Sequence, residues 1–129
     1  WPDNVDRIHH LAPPDHPGFF GAQRWTLNLT RAVMRRAGWS PSVRLFEAAA
    51  CGVPAMSDWW NGLDSFFEPG HEILVARDAD EVVRHLRSTS ADERREIGAR
   101  ARSRVVAEHT PTRRAEQLES YVCDLAAVA

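Results

Sequence analysis

The sequence predicts an α/β fold: a Rossmann-like parallel sheet with flanking helices, closed by a helical C-terminal tail. Three observations point there. Short apolar runs alternate with helical patterns through the first half of the chain, the order that builds right-handed βαβ crossovers. Residues 40–54 carry helix-start chemistry at Ser40-Pro41 and helix-stop chemistry at Cys51-Gly52, directly before an apolar run. Beyond residue 78 the alternation gives way to apolar spacing of three and four.

Four runs read as strands: residues 6–11, 24–30, 53–57 and 72–76. A weak helical pattern covers residues 15–22 and is interrupted by Pro17 and Gly18. A stronger one covers residues 41–51, with Val43, Phe46 and Ala50 on one face. Asp78 with Glu81, and Ser90 with Glu93, have capping-box spacing. Ile97, Ala101 and Val105 then form one stripe. Thr110-Pro111 ends that helix and starts the last, where Ala115, Leu118, Val122 and Leu125 recur at helical spacing. Parallel sheets need both faces covered, and four strands are few for one. The chain begins at Trp1-Pro2 without a methionine and almost at once with a strand. The expectation is a single domain, residues 1–129, forming the C-terminal part of a larger α/β protein whose earlier strands are absent.

Composition narrows the class. A hydrophobic fraction of 43% and a charged fraction of 26% over 129 residues suit a soluble globular domain. A net charge of -2 argues against a dedicated nucleic-acid binder. No apolar run approaches the roughly 20 residues of a membrane span, and no signal-peptide pattern heads the chain. Cys51 and Cys123 lie far apart, without metal-ligand spacing, so a reduced, cytoplasmic setting is expected. His16, His71, His85 and His109 are scattered and form no metal cluster, and neither metal nor cofactor is expected. All sixteen basic residues are arginine, so lysine chemistry would have to come from elsewhere. The arginine-dense segment 84–114 alternates with Asp92, Glu93, Glu96 and Glu108, the pattern of a solvated helical face. There is no G-x-G-x-x-G, Walker loop or nucleophile elbow.

Ligands of open α/β sheets bind outside the carboxyl ends of the strands. Residues 12–15, 31–41 and 58–64 occupy that edge. With Ser40 as N-cap and Pro41 as first helical residue, the amides of Ser42 and Val43 are free to hold a phosphate, and Arg44 adds a fork of donors. A purely structural cap is the competing reading. Glu47, one turn on, either accepts the two hydroxyls of a ribose or pairs with Arg44 at i,i+3, worth roughly 0.2–0.5 kcal/mol. Asn28, Thr30 and Arg31 end the second strand; Arg31 either neutralises a diphosphate or belongs to ordinary strand-end capping. One of His9 and His10 should face the cleft. Asp58, Trp59, Trp60, Asn61 and Asp64 follow the third strand, and the tryptophan pair reads as a stacking wall or, more readily, a domain interface.

The run RLFEAAACGVPAMSDWWNGLDSFFEPGHEILV (residues 44–75), with TLNLTR (26–31) and AEHTPTRRAE (107–116), resembles the C-terminal donor domain of GT-B glycosyltransferases. It is most similar to the family-4-like group that includes spore-maturation-type proteins. The resemblance implies an incomplete half of a GT-B fold, part of an enzyme that transfers a hexosyl group from a nucleoside-diphosphate sugar to an acceptor. The fragment alone would be inactive. It implies phosphates on Ser42 and Val43, and ribose on Glu47, which matches the second acid of the family's glutamate–seven residues–glutamate motif. The donor-binding set is then Glu47, Ser42, Val43, Arg44, Ser40, Arg31, Asn28 and His10. Asp58, Trp59, Asn61 and Asp64 form a possible sugar or acceptor loop. No catalytic residue is assigned. The motif's first glutamate falls at Trp39, and the family's phosphate lysine has no counterpart. The alternative is a non-catalytic nucleotide-binding or assembly module with a degenerate cleft, docking through Trp59, Trp60, Phe66 and Phe67. The implied partners are the sugar nucleotide, the missing N-terminal domain and a second copy in a homodimer; no nucleic acid is expected.

Overall fold

Three strands form one parallel sheet in the order β1 (Thr26–Asn28), β2 (Ala55–Ser57), β3 (Leu74–Val75). The computed structural model describes residues 2–128, so Trp1 and Ala129 lie outside it. Each strand falls inside an expected run, and β2, buried along its length, is central. Thr26 is in register with Ala55, Asn28 with Ser57 and Met56 with Leu74. The expected strand over residues 6–11 does not form: the segment is irregular, and Ile8 is 56% exposed. A strand requires a neighbour for its backbone donors and acceptors, and among the described residues β1 remains an edge.

The first helix, α1 (His16–Gly21), follows a 3-10 turn at Pro13–Asp15. Pro17 does not interrupt it, because a proline in the first turn removes an N–H that has no helical partner anyway. The expected loop over residues 31–41 contains a helix, α2 (Ala32–Ala37), whose alanines, methionine and arginines favour that state. Gly38, at φ 67°, ends it.

The next helix, α3 (Val43–Ala50), has Ser42, not Ser40, at its N-cap position, and Pro41 lies outside it. Its buried face is Leu45, Ala48 and Ala49, in place of the expected Val43, Phe46 and Ala50; Val43 is 68% exposed. The reason is tertiary. The helix lies between α1, the sheet and α5 (Ala91–Glu108), and its small alanines permit close approach. It ends in a Schellman motif: Val53 N–H bonds Ala48 O at 2.9 Å and Gly52 N–H bonds Ala49 O at 2.8 Å, with Gly52 at φ 72°.

Between β3 and α5 runs α4 (Ala79–Ser88), and α6 (Pro111–Val128) closes the chain. Asp78 and Ser90 cap α4 and α5 as expected, accepting from the amides of Glu81 and Glu93. The expected stripe Ile97, Ala101 and Val105 is buried, with Gly98 added to it. One core cluster joins Leu45 and Ala49 of α3 to Ala55, Ile73, Ala101, Val105, Trp60, Leu63 and Phe67. Trp60 and Phe67 are each 2% exposed, so they cannot belong to the expected docking patch; Trp59 alone of the tryptophan pair faces outward. The apolar stripe of α6 is exposed at Leu118, Val122 and Leu125. Among the described residues, no helix is long and apolar enough to cross a membrane.

Candidate functional site

A cavity of about 600 Å³ opens beside the start of α3. Ser42, Arg44 and Glu47 form one wall, His16, Phe19 and Phe20 of α1 another, and residues 8–11 a third, with Thr26 and Leu27 of β1 between them. Four of the expected donor-binding residues are gathered here: His10, Ser42, Arg44 and Glu47.

The start of α3 is chemically open. The Ser42 side chain makes no capping hydrogen bond, so the first-turn amides keep their partial positive charge. Arg44 is exposed and makes no hydrogen bond or ion pair among the described residues. Glu47 does not pair with it. The Glu47 carboxylate instead receives His16 Nδ1 at 3.0 Å, across 31 residues of sequence. His16 Nε2 lies 3.3 Å from the carbonyl oxygen of Leu11. The two side chains are 27% and 34% exposed, open enough to meet a ligand. One cavity thus offers an acceptor carboxylate, a cluster of N–H donors with positive potential, and aromatic walls for a planar ring. No group of three or more metal-ligating side chains occurs among the described residues.

The other expected residues lie elsewhere. Ser40 stands outside the helix, and Val43 points its side chain to solvent. Arg31 is the exposed N-cap of α2. Asn28 is 2% exposed, and its amide donates to Ser57 Oγ at 3.1 Å and Thr30 Oγ1 at 3.3 Å, tying the carboxyl ends of β1 and β2 together. Asp58 accepts from the Thr30 amide at 2.9 Å and lies 3.7 Å from the guanidinium of Arg35 in the last turn of α2, which couples that helix and the segment before it to the end of β2. It borders a separate cavity with Leu27, Leu29 and Val82. Trp59, Asn61 and Asp64 are exposed, and none of them reaches the Glu47 cavity.

Trp39 has a conformation that sequence patterns did not reveal. Its φ is 51°, in the left-handed region that non-glycine residues seldom adopt. Its N–H donates to Asn61 O at 2.7 Å, and its ring lies against Gly62. Trp39 also lines a second cavity of about 710 Å³ with Phe66, His109, Arg114 and Tyr121. There His109 Nε2–H donates to Phe66 O at 3.2 Å and Nδ1 accepts from Arg114, while burial, above all, pushes the ring's pKa below the usual histidine value. Neither the His16–Glu47 nor the His109–Phe66 contact has a spacing rule that would have signalled it; both depend on packing between distant elements.

Comparison with known proteins gives two findings. The model of the glycosyl transferase-like family matches residues 1–120. Among solved structures, sucrose-phosphate synthase from Thermosynechococcus elongatus matches with a TM-score of 0.64 at 21% identity, covering 86% of this chain and 27% of that one. No curated protein matches the chain. The structural likeness gives the fold: three parallel strands with flanking helices and a helical C-terminal region correspond to part of a Rossmann-like GT-B arrangement.

Proposed function

The chain belongs to the glycosyl transferase-like family, and we propose on that premise that the cavity at the start of α3 binds a nucleoside-diphosphate sugar as donor for hexosyl transfer. The observation that carries the reading is the juxtaposition of Glu47 with the uncapped start of α3 in one cavity. A carboxylate there accepts the paired hydroxyls of a ribose. The amides of Val43 and Arg44 and the Arg44 guanidinium take the diphosphate, whose negative charge grows as the bond to the sugar breaks. The family-4-like grouping, and the chain's place as the C-terminal part of a donor domain, belong to the same proposal. The acceptor and any catalytic base then come from a partner domain. The two free cysteines suit the reducing cytoplasm as its setting.

Titration calorimetry with UDP, GDP, UDP-glucose and GDP-mannose tests this. At least one should bind, and Glu47→Ala should weaken that binding about tenfold or more, the loss of hydrogen bonds to a charged acceptor. Absence of binding by all four, or an affinity unchanged in Glu47→Ala, overturns the reading.

A second reading, binding without transfer, draws support from Trp39. It stands where the resembled motif carries its first glutamate, and its ring rests on Gly62. A transfer assay that follows release of the nucleoside diphosphate in the presence of candidate acceptors separates the two.

A further inference from the structure

We infer that His16 is a positioning residue that clamps two walls of the Glu47 cavity through its doubly protonated ring; the inference rests on the donor-site reading above. The ring stands between α3 and the irregular segment that faces it. Nδ1 is 3.0 Å from Glu47 Oε1, and Nε2 is 3.3 Å from Leu11 O. Both of these atoms are acceptors. A neutral imidazole has one donor nitrogen and one acceptor nitrogen, so it can serve only one of the two; the imidazolium serves both.

Packing fixes the ring in that position. His16 meets Phe20 edge-on, with centroids 6.0 Å apart at 85°, and Phe20 is 5% exposed against Ala48 and Val53. The imidazole is thereby held in register with α3. Residues 8–11 have no helix or ladder of their own, so the Leu11 contact ties this wall to the helix that carries Glu47. The same clamp engages one carboxylate oxygen, Oε1, and leaves Oε2 without a protein partner among the described residues. The remaining titratable and charged groups around the ring are Arg44 on α3, His9 and His10 on the facing segment, and Asp15 before α1.

Loss of the ring proton leaves a nitrogen lone pair opposite an oxygen, and one wall is released. Ligand affinity therefore falls as pH rises. The sign is opposite to that of a site governed only by its carboxylate, which gains charge as pH rises.

The test uses UDP-glucose and GDP-mannose, whose diphosphates are diesters and do not ionise across the range. As pH is raised until the ¹⁵N shifts report that the His16 ring has lost its proton, wild-type affinity for whichever binds should fall roughly tenfold, the scale of one charge-assisted hydrogen bond. His16→Gln should bind about tenfold more weakly at the acid end and show a flat profile. His16→Phe keeps the packing on Phe20 without the donors and should behave the same way. A profile in His16→Gln that runs parallel to the wild type overturns the inference. A ligand-free measurement stands beside it. The ¹⁵N shifts of the His16 ring should differ in protonation between the wild type and Glu47→Gln at neutral pH, and identical spectra overturn the clamp whatever binds. Spectra as expected, with no binding of either sugar nucleotide, would instead defeat the donor-site reading and the binding half of this inference with it.

Discussion

Gly98 of α5 faces the carbonyl of Gly52 at the end of α3 so closely that a β carbon at Gly98 would lie 2.1 Å from the Gly52 oxygen and 2.9 Å from its carbonyl carbon. Both obstacles are backbone atoms held by the Schellman motif, so neither can swing aside. Glycine to alanine inside a helix normally stabilises by roughly 1 kcal/mol. Here overpacking reverses the sign, and Gly98→Ala should destabilise by about 1–3 kcal/mol. Urea denaturation checks this; an unchanged or higher midpoint contradicts the contact. Because α3 carries Glu47, nucleotide affinity should fall in the same variant.

Glu81, in the first turn of α4, accepts from the Arg77 amide at 2.8 Å and from the Arg77 guanidinium. The side-chain bond first, and the backbone bond second, hold its carboxyl at about 2, well below its ordinary 4.5, against the opposing effect of burial. The folded value lies below the unfolded one. The stabilisation is therefore complete above the unfolded value and disappears as pH falls from 4.5 toward about 2. Glu81→Gln should lower Tm at neutral pH, and the gap from the wild type should close near pH 2. High salt should shrink it too, since Arg77 is largely exposed. An equal gap at both pH values counts against the pair.

Local chemistry was the legible part of the fold. Asp78 and Ser90 act as caps because a cap needs only its own turn, and Ile97, Ala101 and Val105 share a face because periodicity alone puts them there. The run at residues 6–11 had strand composition but no neighbouring strand, which is a tertiary property. Six-residue α2 is short and buries none of its residues, so no apolar stripe marks it within the expected loop. Loop aromatics carry no period, so the sequence leaves Trp60 and Phe67 open to a docking role; the chain packs them with Leu45 and Ala49 of α3 in the core. In the site, Glu47 is legible as a charge in an apolar run. Its partner His16 is brought to it only by the packing of α1 on α3.

His109 predicts a second pH effect at a higher pH than that of Glu81. Its ring is surrounded by Phe46, Phe66 and Phe67, and burial pushes its pKa below the ordinary 6.5. The fold therefore favours the neutral ring, which donates to Phe66 O and accepts from Arg114. Stability from this preference is present above 6.5 and is lost as pH falls through the lowered folded value. Wild-type Tm should drop as pH falls below 6.5, and His109→Gln should flatten that part of the curve. A variant that keeps the full drop would assign it to other groups.

Gly62 and Trp39 give the last prediction. At φ 95°, Gly62 has a conformation in which a side chain is strained by about 1–2 kcal/mol, and a β carbon there would lie 2.6 Å from Trp39 Cε3. Unlike the Gly52 carbonyl, this obstacle is a side chain, 67% exposed, that can move away. Gly62→Ala should therefore cost both the backbone strain and the ring's contact in the wild type, but only the strain in a Trp39→Ala background. The difference, about 0.5–1 kcal/mol of coupling, is measurable by denaturation of the four proteins of the cycle. Equal costs in the two backgrounds would mean that the ring does not rest on Gly62. The same cycle bears on the site. Trp39 lines the second cavity and not the one that holds Glu47, so displacing its ring should leave the affinities for UDP-glucose and UDP unaltered. A change in the affinity for UDP-glucose alone would bring Trp39 within the sugar's reach.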